Sequence, residues 1–119
     1  MYSIKVEADF SSAHNLRGYR GKCEGLHGHN WKVEAVVENT ALDKTGMLLD
    51  FKILKMRLNR VLEKLDHKYL NNLACFKKIN PTSENIAKYI YDKLKSKVAG
   101  LKYVTVWESH NSQATYYEG

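Results

Sequence analysis

The chain contains a single proline and seven glycines in 119 residues. So little of either leaves no room for a long flexible linker, and neither a low-complexity run nor an internal repeat is present. No apolar stretch approaches the ~20 residues needed to span a bilayer. The first residues, Met1 to Glu7, alternate polar and apolar side chains and lack the apolar centre of a signal peptide. A soluble cytoplasmic protein without a membrane partner is therefore expected. Cysteine is scarce too: Cys23 and Cys75 are the only two. In a reducing compartment both are expected as free thiols. Acidic residues are outnumbered, 13 against 19 Lys and Arg, for a net charge of +6. That excess favours anionic partners. The basic residues are dispersed, with Lys52, Lys55, Arg57, Arg60 and Lys64 on one helical segment and Lys88, Lys93, Lys95 and Lys97 on another. They read as two solvated helix faces.

What the chain does have is a dense cluster of ligating side chains at Cys23-Glu24-Gly25-Leu26-His27-Gly28-His29. In an extended backbone, residues i and i+2 point the same way, so His27 and His29 can face one ion together. Imidazole nitrogen suits zinc and neighbouring divalent metals. Two imidazoles do not complete a site, and a third ligand has to come from elsewhere.

The length and a 44% hydrophobic content suit one domain, residues 1–119, with one core. Residues 2–10 alternate as a strand with Tyr2, Ile4, Val6, Ala8 and Phe10 on one face. The same parity runs through Ser12 to His14, so an extended chain brings His14 out on the apolar side. A second strand is predicted over residues 30–39, with Trp31, Val33, Ala35 and Val37 inward. His27 and His29 share that parity. Pairing the two strands antiparallel would place His14 beside them. Asp50 caps a predicted helix over 51–65, whose stripe is Phe51, Leu54, Leu58, Val61, Leu62 and Leu65. Thr82 or Ser83 caps a second, with Ile86, Ile90, Leu94 and Val98 inward, that Gly100 ends. Strands follow at about 102–108 and 113–118. Two strands, two helices, two strands make an α+β fold: a four-stranded antiparallel sheet with both helices on one face. Its open edges would be covered by joining sheets between subunits, so an oligomer is expected.

Three of the five histidines, His14, His27 and His29, thus fall on one predicted face. Three imidazoles leave a fourth zinc position open, the arrangement of a catalytic site. Cys23 can be a fourth ligand, a nucleophile, a base or a buried filler; near a dication and basic side chains its thiol ionises more readily. Cys75 lies in apolar sequence, Leu73-Ala74-Cys75-Phe76, and reads as packing. Asp66-His67 make an acid–base pair if both meet the same site. Glu108, after Val104 and Val106 on one strand face, is either a solvated rim residue or a carboxylate that accepts paired N–H donors from a ligand. His110 reads as a surface turn residue.

Taken in order, Phe10-Ser11-Ser12-Ala13-His14, Cys23 with His27-Gly28-His29, Leu49-Asp50-Phe51, Leu65-Asp66-His67, Pro81-Thr82-Ser83-Glu84-Asn85 and Val106-Trp107-Glu108 span nearly the whole chain. Together they resemble the 6-pyruvoyl-tetrahydropterin synthase family. The Cys-x-x-x-His-Gly-His spacing is similar to its 6-carboxy-tetrahydropterin synthase branch, of the queuosine and 7-deazaguanine pathway; biopterin-forming members have a longer spacing. Folate-linked variants place a glutamate at or near the cysteine, and here Glu24 follows Cys23. The resemblance implies a tunnelling fold, with sheets of several subunits closed into a barrel, a homohexamer and sites between subunits. It implies zinc on His14, His27 and His29, and 7,8-dihydroneopterin triphosphate as substrate. The implied products are 6-carboxy-5,6,7,8-tetrahydropterin, acetaldehyde and triphosphate. Cys23 would accept a proton, His67 with Asp66 would relay protons, and Glu108 would hold the pterin's amino-pyrimidine edge and join the relay. Thr82 and Ser83 would help bind the ring, and Arg17, Arg20 and Lys22, ahead of Lys5, are the candidates for the phosphates. Formation of 6-pyruvoyl-tetrahydropterin, or cleavage of dihydroneopterin phosphates toward folate, is the alternative outcome. A zinc-containing nucleic-acid-binding module is the non-enzymatic rival. The dispersed charge and the lack of zinc-finger cysteine pairs argue against it, and no nucleic-acid partner is expected.

Overall fold

Alternation decides the strands. A computed structural model of the chain describes residues 1–20 and 24–119. It contains β1 (Tyr2–His14), β2 (His27–Asn39), β3 (Leu101–Ser109) and β4 (Ser112–Tyr116), in the antiparallel order β1-β2-β3-β4. Two helices, α1 (Phe51–Leu62) and α2 (Ser83–Lys95), stand between β2 and β3 in sequence. α1 packs on β1, and α2 on β3 and β4. The α+β fold expected from the sequence is the one observed. Among the described residues no helix is long and apolar enough to cross a membrane.

β1 and β2 run further than their apolar alternation requires. Ser11 to His14 pair with Asn30 to His27, and the outer edge of this extension is also held. The His67 N–H donates to the Ser11 carbonyl at 2.6 Å and the Ala13 N–H to the Lys68 carbonyl at 3.0 Å. Backbone satisfaction on both sides keeps the chain extended to His14.

Asp50 caps α1 by accepting from the Lys52 N–H at 2.8 Å, and Thr82 caps α2 by accepting from the Asn85 N–H at 3.1 Å. α1 closes three residues before the expected end at Leu65, yet the following turn still delivers Leu65 to the core, fully buried. α2 stops at Lys95, well before Gly100, and Val98 is buried beyond its end. β4 ends at Tyr116, short of the expected Glu118. Phe51 is not in the buried stripe: as the first helical residue it lies 59% exposed, on the rim of a groove beside Lys5 and Val6. The stripe that is buried is Leu54, Leu58, Leu62 and Leu65, facing Trp31, Val33, Ile86, Ile90 and Leu94 in one core. Gly100 has φ +80°, and a Cβ there would lie 2.9 Å from the Glu38 carbonyl oxygen, so the turn into β3 needs glycine.

The other sheet face is polar. Glu34 accepts from the Trp107 indole N–H at 3.0 Å and pairs with Lys5 and Lys32, at 3.5 and 3.7 Å.

Candidate active site

The register of β1 on β2 sets His14 opposite His27 and Ser12 opposite His29. The parity that buries Phe10 and Trp31 therefore gathers three imidazoles at the end of the core. Their ring centroids lie 4.6 Å (His14–His27), 4.8 Å (His27–His29) and 5.4 Å (His14–His29) apart. Trp31 supports them from the core side, edge-on to His14 at 4.9 Å and to His29 at 5.2 Å. Its indole N–H donates to the Ser12 carbonyl at 3.2 Å. A cavity of about 260 Å³ lined by Ser11, Ser12, Gly28, His29 and Asn30 opens beside the strands.

Glu108 joins the group from β3, where the pairing with β4 slips between Trp107 and Ser109. Such irregularities re-aim side chains. Its Oε1 lies 3.0 Å from His29 Nε2 and 4.0 Å from His14 Nε2. Ser83, in the first turn of α2, donates its hydroxyl to Glu108 Oε2 at 3.2 Å. The four donor atoms of His14, His27, His29 and Glu108 lie within 4.8 Å of one another. Sequence reasoning put Glu108 on the ligand and not on the ion; the geometry allows either.

The proton inventory tests whether the group suits a cation. His14 Nδ1 lies 2.7 Å from the Pro81 carbonyl and His27 Nδ1 lies 2.9 Å from the Gly25 carbonyl. A carbonyl only accepts, so both Nδ1 atoms carry the hydrogen and both Nε2 atoms present lone pairs. Those two Nε2 atoms are 3.0 Å apart. Burial, above all, lowers the pKa of His14 and opposes a proton between them, and the neighbouring imidazoles push the same way. His29 Nε2 is buried, and its 3.0 Å approach to Glu108 Oε1 is not aligned as a hydrogen bond. Converging lone pairs with no proton to share are what a dication relieves. Tetrahedral zinc holds nitrogens at ~2.0–2.1 Å, and so about 3.3 Å from each other, close to the spacing here. The outer N–H bonds to carbonyls are the second-shell contacts that fix the tautomer of a ligating imidazole.

Two asparagine clamps tie down the segment that follows His14. Asn71 is buried; its Oδ1 accepts from the Asn15 N–H at 3.0 Å and its Nδ2 donates to the Asn15 carbonyl at 2.8 Å. Asn80 does the same to Arg17, both at 2.9 Å. The Arg17 guanidinium then donates to the carbonyls of Phe76, Lys77 and Ile79 and to Asn80 Oδ1. It is committed to the loop that precedes Pro81, so the expectation that Arg17 meets substrate phosphates is corrected. Neither asparagine was singled out from sequence, because one main-chain clamp leaves no periodic signal.

The remaining predicted residues fall as follows. Thr82 is occupied as the α2 cap and Ser83 as the holder of Glu108. Asp66 and His67 are together but outside the histidine group. Asp66 Oδ1 accepts from the Ser11 N–H at 2.8 Å, and Oδ2 lies 3.0 Å from His67 Nδ1. The Ser11 bond, foremost, holds the Asp66 carboxyl below its usual range. His67 has φ +55°, a left-handed backbone that a non-glycine residue adopts at some cost, and its ring is 82% exposed. Glu24 accepts from the Leu16 N–H at 3.2 Å and lies 3.7 Å from His27 Nδ1. Cys75 packs against the core, and burial pushes its thiol pKa up. Cys23 and Lys22 lie outside the described residues.

Residues 3–119 match the family described as 6-pyruvoyl tetrahydropterin synthase. The chain is 39% identical over 123 residues to 6-carboxy-5,6,7,8-tetrahydropterin synthase of Synechocystis sp., covering 98% of this chain and 94% of the relative. It is 36% identical over 110 residues to dihydroneopterin monophosphate aldolase of Pyrococcus furiosus, covering 90% of each. Its fold superposes on the structure of Caenorhabditis elegans 6-pyruvoyl tetrahydropterin synthase with a TM-score of 0.86 at 28% identity, covering 99% of this chain and 96% of that one.

Proposed function

The chain belongs to the 6-pyruvoyl tetrahydropterin synthase family and is an enzyme of the pterin-lyase type; on that premise we propose that it converts 7,8-dihydroneopterin triphosphate to 6-carboxy-5,6,7,8-tetrahydropterin, acetaldehyde and triphosphate. The reading includes zinc on His14, His27 and His29, a cytoplasmic homohexamer and a place in queuosine and 7-deazaguanine synthesis. The observation that carries it is the convergence of Nε2 lone pairs beside the Glu108 carboxylate.

Bound there, zinc would polarise the substrate's side-chain hydroxyls and acidify the adjoining carbon-bound protons. The chain's own groups would do the rest. Glu108, steadied by Ser83, can accept two parallel N–H donors from an amino-pyrimidine edge, which fixes the ring's orientation. Cys23 stands four residues before His27 in sequence and is the proposed proton acceptor, its thiolate favoured by nearby positive charge. His67 is the second proton carrier: Asp66 faces Nδ1, leaving Nε2 free to give or take a proton. The dyad's exposed ring, away from the chain's own histidine group, suits a site completed by another subunit. The +6 charge suits a triphosphate substrate.

A second reading, cleavage of a dihydroneopterin phosphate, is favoured by Glu24, a carboxylate next to Cys23 and close to His27. It is also the activity named for the Pyrococcus furiosus relative. Mass spectrometry of the products from 7,8-dihydroneopterin triphosphate separates the readings. The carboxy-pterin with acetaldehyde upholds the first. A 6-pyruvoyl or hydroxymethyl pterin product replaces it. Cys23→Ala is expected to abolish turnover while zinc stays near one per chain, and wild-type turnover in that variant would remove Cys23 from the chemistry.

A further inference from the structure

A second cleft lies away from the histidines. It has a volume of about 630 Å³ and lies between α1 and α2, on the helical side of the sheet. Its walls carry Arg57 and Arg60 from α1 and Lys64 from the turn after it, and Lys93 from α2 with Lys97 just past its end, around Tyr89. No acidic residue lines it. We propose that this cleft binds a linear oligophosphate, at a site separate from the histidine centre.

Three observations point that way. First, the five cations have no carboxylate partner within ion-pair distance among the described residues, whereas their neighbours on α2 do. Lys88 is paired with Asp92 and Lys95 with Glu118. Five cations without an ion pair thus gather around one cleft, while Lys88 and Lys95 on the same helix are paired. Arg57 and Arg60, at a helical spacing of three, are like charges that repel, and Lys64, Lys93 and Lys97 add further positive charge around the same cleft. An anion between them turns that repulsion into attraction.

Second, two carbonyls that would repel an anion near the end of α2 already accept hydrogen bonds. The Lys97 carbonyl accepts from Arg57 Nη1 at 2.7 Å, and the Lys93 carbonyl accepts from the Ser96 hydroxyl at 3.1 Å. The Arg57 bond also ties the two walls together and still leaves guanidinium N–H groups to donate. Third, Tyr89 gives the cleft an apolar wall: its ring lies under the Lys93 ammonium at 5.7 Å and touches Phe76 at 5.9 Å between centroids. The volume is that of a small-molecule site. A nucleic-acid surface would need a basic track that continues along both helices, and on α2 the paired Lys88 and Lys95 interrupt it.

The same phosphate chemistry could come from a nucleoside triphosphate or from a free triphosphate chain. The full-length protein should be titrated at low salt with sodium tripolyphosphate and with ATP, by calorimetry and by amide chemical shifts. Expected are shifts at Arg60, Lys64, Lys93 and Ser96, with binding weakened about tenfold or more in Arg60→Glu/Lys64→Glu, since two charges change sign beside the anion. The milder Arg60→Gln/Lys64→Gln should weaken it less and covers a failure of the first variant to fold. Lys44→Glu/Lys102→Glu, the same charge change at residues that do not line the cleft, should weaken binding clearly less than Arg60→Glu/Lys64→Glu, since neither side chain meets the anion. Tighter binding of ATP assigns a nucleotide with its base on Tyr89, and equal or weaker binding assigns the free chain; both uphold the site. Shifts confined to His14, His27, His29 and Glu108, equal losses in both charge-reversal pairs, or binding of an oligouridylate but not of tripolyphosphate would overturn it.

Discussion

Arg17 separates two uses of a cation near a site for a charged substrate. Four of its five guanidinium N–H groups are already donated, to the carbonyls of Phe76, Lys77 and Ile79 and to Asn80 Oδ1. Hydrogen bonds from charged groups contribute ~1.5–3 kcal/mol each when well shielded, and less when, as here, some are exposed. Ordering so long a side chain costs up to ~2 kcal/mol. Arg17→Met, which keeps the stem and removes the fork, should therefore lower stability by about 2–4 kcal/mol, a large share of the ~5–15 kcal/mol of a typical domain. The effect should reach the histidines. The loop held by Arg17 and Asn80 leads directly into Pro81, whose carbonyl fixes the tautomer of His14. Loss of an outer partner of a ligating histidine typically lowers metal affinity by about 10–100-fold. With Pro81 loosened rather than removed, the low end, about tenfold, is expected. Urea denaturation of the apo-protein measures the first quantity, and zinc competition against a chelator the second. Unchanged stability and unchanged zinc affinity, with only a raised KM for the phosphorylated substrate, would refute the reasoning and return Arg17 to the phosphates.

His27→Ala removes one of the converging lone pairs; zinc content by elemental analysis and turnover should both be lost, and full retention of metal would exclude His27 from the site. Gly100→Ala places a Cβ 2.9 Å from the Glu38 carbonyl oxygen at φ +80°; a loss of about 1–3 kcal/mol is expected from thermal unfolding, against near-neutrality if the turn relaxes freely. The Asp66 carboxyl is held below its usual range, foremost by the Ser11 N–H, so the folded state binds its proton less readily than the unfolded chain. That contribution is present above the unfolded value of about 3.9 and is lost as pH falls through the lower folded value. Acid unfolding of the wild type should accordingly be steeper below about pH 4 than that of Asp66→Asn, and superimposable acid profiles would show that the bond does not contribute.

The fold was legible wherever burial imposes a period. Even parity from Tyr2 to His14 and odd parity from His27 to Val37 specify which faces of β1 and β2 point inward, and a one-residue slip would reverse both. Caps at Asp50 and Thr82 are local and were readable for the same reason. The misjudged features are ends. Phe51 and Leu65 obey the α1 spacing equally well, yet Phe51 overhangs the groove beside Lys5 while Leu65 enters the core after the helix has closed. Periodicity says which side a residue takes, not whether a second layer reaches that far.

The site divides along a similar line. The gathering of His14, His27 and His29 follows from strand parity and could be read without coordinates; alternation with Val104 and Val106 gave the strand face of Glu108 but left its role open between rim residue and ligand. The atoms that set the protonation of those imidazoles could not be read that way. They are the carbonyls of Pro81 and Gly25, and every residue type has a carbonyl. Arg17 illustrates the consequence: by type it is a phosphate ligand, and only its carbonyl partners in residues 76–79 reveal it as a brace. His67 shows the reverse case, where a residue type common by chance gains meaning from geometry. Its left-handed backbone, its bond to Ser11 and its Asp66 partner hold an exposed imidazole in one orientation at some energetic cost. Strain of that kind persists only where surrounding contacts over-determine it. Here Ser11 anchors both members of the dyad through its own N–H and carbonyl, on the same strand that three residues later presents His14. One strand thus positions both His14 and the Asp66–His67 pair, so on the proposed roles a substitution that shifts β1 should disturb metal binding and proton transfer together, even though the two groups do not touch.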